Sequence, residues 1–121
     1  MSSEQLVDAL DRMTRVPGLT GCALVEIEAG MVWDTAGQMP DVQRIAEAAS
    51  DYWRLYLRLA PQFGDLGRLH GSLMWHAQGQ LVLLPCGKGV LLVGLAMHDG
   101  SVDWPACFEQ ARELARLVDR L

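Results

Sequence analysis

The apolar and polar positions of this chain follow two periods, which together predict a fixed order of strands and helices. Alternating or continuous apolar runs are typical of strands, whereas apolar residues spaced by three and four are typical of helices. The pattern predicts a helix, two strands, a second helix, three strands and a final helix. The predicted strands are Gly21–Glu28, Met31–Ala36, Gly71–Ala77, Leu81–Leu84 and Val90–Met97.

The connections between neighbouring strands predict the direction of the sheet. Ala29-Gly30 and Gln78-Gly79 are tight turns, and Pro85–Gly89 is another short connection. Such connections are too short for parallel crossovers, so the sheet is predicted to be antiparallel. The last strand is the most continuously apolar and belongs in the centre, while the more polar second and third strands belong at the edges. The predicted spatial order is second, first, fifth, fourth, third.

The helices differ in the width of their apolar faces. The first helix, capped by Ser2 or Ser3, and the last, capped by Asp103, each have one apolar stripe. The middle helix, from a cap at Asp41 to Leu59, has a wider apolar arc than one sheet face requires. Either this helix is deeply buried in its own core, or part of it contacts a second chain. The simplest partition places two helices on one sheet face and the middle helix on the other.

The predicted fold class is therefore α+β, a three-layer α/β/α sandwich with a five-stranded antiparallel sheet of profilin-like type. At 121 residues the chain is expected to form one domain over residues 1–121. Its net charge of −5 argues against a nucleic-acid partner, and no basic amphipathic helix indicates a membrane partner. Three cysteines without Cys-x-x-Cys spacing and the absence of a signal-peptide pattern favour a cytoplasmic location.

Candidate catalytic or metal-binding residues are few. His70 and His76 are six residues apart, roughly 20 Å along a strand, which is too far for one metal ion. The segment Cys86–Gly89 lacks the spacing of a phosphate-binding loop and opens no helix, so it is predicted to be a strand connection. His98–Gly100 is predicted to end the sheet in a turn. We therefore expect no catalytic site, no metal and no cofactor.

Several segments together resemble the dynein light chain roadblock family, including its bacterial members. They are Val16–Gly21, the strand Cys22–Glu28 with its glycine turn at Gly30, and the helix that precedes a meander of three strands. The terminal helix after Leu95–Gly100 also fits. The resemblance extends over nearly the whole chain, although each motif is loose by itself.

The resemblance implies a non-enzymatic homodimeric binding module that regulates or scaffolds a small Ras-like GTPase. In that family the third strands pair across the dimer and the middle helices lie together on one face. Carried over by position, the implied residues are Trp53, Leu57, Leu73 and Trp75 at the dimer interface, with Arg54 and Arg58 facing a partner.

Two alternatives from other functional classes remain open at this point. A small-molecule sensor on a profilin-like scaffold would need a cavity between sheet and helix, for which Trp33, Tyr52 and Trp75 are the predicted lining. An enzyme would use Cys86, the one cysteine close to a lysine, and would show fast thiol alkylation at neutral pH.

Overall fold

The computed structural model describes residues 3–97 and 101–121, so Ser2 as a helix cap and the turn at His98–Gly100 lie outside the described residues. Within these ranges the chain forms three α-helices and one five-stranded sheet. A 3-10 helix over Ala60–Leu66 continues directly from the second helix. The elements in chain order are α1 (Ser3–Met13), β1 (Gly21–Glu26), β2 (Met31–Gly37), α2 (Val42–Leu59), β3 (Ser72–His76), β4 (Gly79–Pro85), β5 (Val90–Met97) and α3 (Trp104–Val118).

The sheet confirms the predicted topology. Its order is β2-β1-β5-β4-β3, and every neighbouring pair is antiparallel. β5 lies in the centre between β1 and β4, where its nearly continuous apolar sequence is covered on both faces. The two more polar strands, β2 and β3, form the edges.

Two hydrophobic clusters fill the two sides of the sheet, which confirms the three-layer sandwich. On one side α1 and α3 pack against the sheet around Leu10, Leu24 and Leu92, all fully buried. On the other side α2 contributes Ala46, Ala49 and Trp53 against side chains of β1, β4 and β5. Because neighbouring residues of a strand point to opposite faces, one strand supplies both clusters.

The structure differs from the sequence prediction at element ends. Asp41 begins α2 but does not cap it through its side chain; its backbone is left-handed, at φ 53°, and its carboxylate pairs with Arg44 at 2.7 Å. The segment after Leu59, where the apolar pattern predicts no further helix, forms the 3-10 helix, and Pro61 is tolerated there because a proline near a helix start loses no hydrogen bond. Asp103 does cap α3, because its carboxylate accepts a hydrogen bond from Ala106 N at 3.2 Å. These local choices depend on side-chain competition that apolar spacing does not show.

The three cysteines are free thiols buried in the cluster beneath α1 and α3. Burial raises the pKa of Cys22 and of Cys86 to about 12 and that of Cys107 to about 11. Cys86 is therefore protonated at neutral pH and packed like a small apolar residue, and this environment does not support its use as a nucleophile.

These thiols are expected to make the fold sensitive to alkaline pH. In the unfolded chain a thiol ionises near pH 9, whereas burial keeps the folded thiols protonated until about pH 11 to 12. The free energy of unfolding should therefore be unaffected by these thiols below pH 9 and fall as the pH rises towards 12, by at most about 1.4 kcal/mol per pH unit for each thiol. Urea denaturation at a series of pH values measures this fall. Cys86→Ala should make the fall shallower, and an unchanged pH dependence in that variant would contradict the assignment.

Candidate functional site

β3 is an edge strand whose side chains are mostly exposed. In the described part of the chain it pairs only with β4, so its outer edge has no strand neighbour. Trp75 is 83% exposed, and Leu73 is also exposed. An edge strand with exposed large apolar residues and unpaired backbone groups is suited to pairing with another chain.

The register of β3 assigns its side chains to opposite faces of the sheet. Leu73 lies opposite Val82 of β4, and Trp75 lies opposite Gln80. Val82 belongs to the cluster beneath α1 and α3, so Leu73 and Trp75 lie on that face. Met74, which lies between them, packs with the cluster beneath α2. The structure thus places the predicted interface residues of β3 on the face opposite α2, and therefore opposite Trp53 and Leu57.

The wide apolar arc of α2 divides into a buried part and an exposed part. Trp53 is only 6% exposed and packs in the chain's own core with Ala46 and Ala49, so it has little surface left to offer a second chain. The exposed part includes Tyr52 and Leu57. The core interpretation of the arc therefore applies to Trp53, whereas Tyr52 and Leu57 are left exposed.

The exposed apolar residues of α2 continue onto the 3-10 helix. Phe63 stacks on Tyr56 with ring centroids 6.0 Å apart and planes 11° apart, which fixes the 3-10 helix against the end of α2. This extension lies beyond Leu59, the residue at which the apolar pattern predicts the end of the middle helix. We define the α2 surface as the exposed residues Tyr52, Leu55, Leu57, Leu59, Phe63 and Leu66.

The two arginines that the resemblance directed at a partner have different environments. Arg54 Nη1 donates hydrogen bonds to the carbonyl oxygens of Ile27, at 2.5 Å, and Glu28, at 3.0 Å, and Arg54 also pairs with Asp51. It therefore holds the turn after β1 against α2. Arg58 is exposed, and among the described residues it has neither a hydrogen bond nor an ion pair.

An open groove of about 1020 Å³ lies beside β3, between the sheet and α3. None of the predicted cavity residues Trp33, Tyr52 and Trp75 lines this groove. Trp75 and Tyr52 do not line one cavity, because Trp75 lies on the face of the sheet opposite α2. The residues that line the groove are Arg68, Leu69, His70, Gly71, Ser72, Leu73, Val82, Leu84, Pro85, Gly87, Trp104, Phe108, Arg112 and Asp119.

Two further features of the described ranges bear on function. Within residues 3–97 and 101–121, no three His, Cys, Asp or Glu side chains come together in a way that could hold a metal ion. No helix in the same ranges is long and apolar enough to cross a membrane.

Comparison of the sequence with protein-family models and with curated proteins finds no match. Comparison of the structure with solved structures finds close likeness in fold. A roadblock/LC7 domain from Streptomyces avermitilis superposes with a TM-score of 0.77 at 25% identity, covering 96% of this chain and 93% of that domain. Myxococcus xanthus MglB gives 0.85 at 19% identity with full coverage of both chains. An MglB with a tetrameric arrangement gives 0.81 at 17%, covering 97% of this chain and 87% of the other.

These likenesses span nearly the whole of each chain and agree with the observed strand order and helix placement. The resemblance proposed from Val16–Gly21 and from the order of elements is thereby confirmed. The chain therefore has the fold of roadblock/LC7 domains.

Proposed function

We propose that this protein is a non-enzymatic homodimeric binding module that regulates or scaffolds a small Ras-like GTPase. The observation that supports it most directly is the open edge of β3 with its exposed Trp75, on a fold of the roadblock/LC7 type. One of the similar structures, an MglB, has a tetrameric arrangement, so a protein of this fold self-associates.

In the proposed dimer, β3 pairs with β3 of a second copy and joins the two five-stranded sheets. Pairing would satisfy the outer backbone groups of the edge strand and cover Leu73 and Trp75 on one face. On the other face, the roadblock resemblance implies that the two α2 helices lie together at Trp53 and Leu57, of which Leu57 is the exposed residue. Gln80 Oε1 is buried without a hydrogen bond among the described residues, and it lies opposite Trp75, where a second chain could supply a donor.

Arg58 is a stronger candidate than Arg54 for contact with the GTPase. It is exposed on α2 and has no partner in the described residues, so its charge is available to an acidic surface. Arg54 is already bonded to the turn after β1 and is assigned a structural role.

Trp75→Glu should weaken the dimer, because a carboxylate would replace the largest exposed apolar side chain of β3. A hot-spot residue of this kind is worth at least about 2 kcal/mol, so the dimer dissociation constant should rise more than tenfold. Trp33→Glu is the matched control, since Trp33 is also exposed but lies on the opposite edge strand, β2. Sedimentation velocity measures both. A monomeric wild type, or equal masses for the two variants, would rule out the β3 dimer.

Arg54→Ala should lower the free energy of unfolding by about 1 to 2 kcal/mol, since two carbonyl oxygens of the turn lose a charged donor that is itself partly exposed. Arg58→Ala should change it by less than about 0.5 kcal/mol. Chemical denaturation of both variants tests this difference, and equal losses would remove the structural role assigned to Arg54.

Binding to a Ras-like GTPase should be detectable by calorimetry with the GTPase loaded with GDP or with a non-hydrolysable GTP analogue. The best candidate partner is a Ras-like GTPase from the same cell, identified by affinity capture. Arg58→Glu should weaken binding several-fold by reversing a charge at the contact, while Arg44→Glu, at the far end of α2, should not.

Single-turnover GTP hydrolysis then separates a protein that stimulates hydrolysis from one that only scaffolds the GTPase. No binding in either nucleotide state would contradict the GTPase proposal and leave the dimer test unaffected.

A further inference from the structure

The groove beside β3 has an apolar floor and an aromatic wall. Val82 and Leu84 of β4 form the floor, and Trp104 and Phe108 of α3 form the wall. The two aromatic rings stack with centroids 6.0 Å apart, which holds both at the groove surface. Phe108 remains 43% exposed, so the wall is accessible to a ligand.

The groove has an excess of positive charge, although the whole chain has a net charge of −5. Arg68 and Arg112 both line it, and within residues 3–97 and 101–121 neither has a hydrogen bond or an ion pair. Asp119 is the one acidic residue among the described lining residues, and its carboxylate accepts a hydrogen bond from Lys88 N at 3.0 Å. The acidic side chain thus holds the turn between β4 and β5, and the two guanidinium groups are left for a ligand.

We propose that this groove binds an amphipathic carboxylate, with its hydrocarbon part against Trp104 and Phe108 and its carboxylate at Arg68 and Arg112. Small-molecule sites typically have volumes of about 300 to 1,000 Å³, with mostly apolar walls and a few polar groups that orient the ligand. At about 1020 Å³ the groove is large enough for an extended acyl chain. A guanidinium group binds a carboxylate through two parallel hydrogen bonds, which selects it over a neutral or cationic head.

This site is separate from the proposed GTPase contact and adjoins the proposed dimer contact at β3. It lies on the face of the sheet opposite α2, whereas the α2 surface and Arg58 belong to the other helix layer. Leu73 lines the groove and also belongs to the proposed dimer contact, so it is left out of the test variants.

The first experiment compares three ligands that share one tail and differ in the head group. Dodecanoate, dodecanol and dodecyltrimethylammonium are titrated into the wild-type protein by calorimetry below their micelle-forming concentrations. Dodecanoate should bind, and the other two should bind at least about tenfold more weakly, since only the carboxylate pairs with the arginines. Equal affinity for dodecanol, or no binding of dodecanoate, would overturn the proposal.

Matched variants then place the ligand in this groove. Phe108→Ser should weaken dodecanoate binding at least about tenfold, whereas Phe63→Ser should not, although Phe63 is 42% exposed and also stacked. Arg112→Gln should weaken dodecanoate binding several-fold without changing the weak binding of dodecanol, and Arg116→Gln, which lies outside the groove on the same helix, should change neither.

Phe108→Ser can weaken binding simply by lowering the stability of the fold. Arg112 is exposed, so Arg112→Gln tests the ligand site without that effect. Loss of dodecanoate binding in Arg112→Gln, with dimer mass and GTPase binding unchanged, supports a separate ligand site. Equal dodecanoate affinity in Arg112→Gln and wild type would overturn it. Binding of an acidic amphipathic peptide in the groove, with no binding of dodecanoate, would also overturn it and assign the groove to a protein partner.

Discussion

The pairing of β1 with β5 at the centre of the sheet is the interaction on which the rest of this structure depends. Both strands are buried on both faces, and residues such as Leu24, Val25, Leu91 and Leu92 are fully shielded from water. An antiparallel sheet of this kind is stable only if helices cover both sides, because each face exposes apolar side chains that burial stabilises by roughly 1.5 to 3 kcal/mol each. This requirement places α1 and α3 on one face and α2 on the other.

Because the helices must cover the central strands, the exposed surfaces proposed for binding lie towards β3. The helices cover the centre of the sheet, while β3 lies at the edge with mostly exposed side chains. Three features remain open as a result: the outer edge of β3, the α2 surface on one face, and the groove beside α3 on the other. The sheet separates the α2 surface from the groove, and variants at Trp75, Arg58 and Arg112 test self-association, GTPase contact and ligand binding one at a time. The groove and the proposed dimer contact share Leu73, which is therefore not used as a test variant.

Residues of the same type have different roles once the chain is folded. Trp53 and Trp75 were both predicted at a dimer interface, yet one is buried in the core and the other is almost fully exposed. Arg54 and Arg58 are one helical turn apart, yet only Arg54 reaches the carbonyl oxygens of the turn after β1. Helical spacing shows that two residues share a side of a helix. It does not show where the neighbouring element begins or ends, and that boundary decides the role of each residue.

The sequence by itself determined the order of elements, the antiparallel sheet with β5 in its centre, the two helix layers and the resemblance to roadblock domains. These features depend on local properties, namely apolar spacing and short turns, which act over a few residues. The tertiary structure alone decided which part of α2 is core, that Arg54 holds a turn, and that a groove forms beside α3. Those outcomes depend on how residues far apart in the chain come together, such as Val82 and Trp104, which line the same groove, and no local pattern specifies such distances.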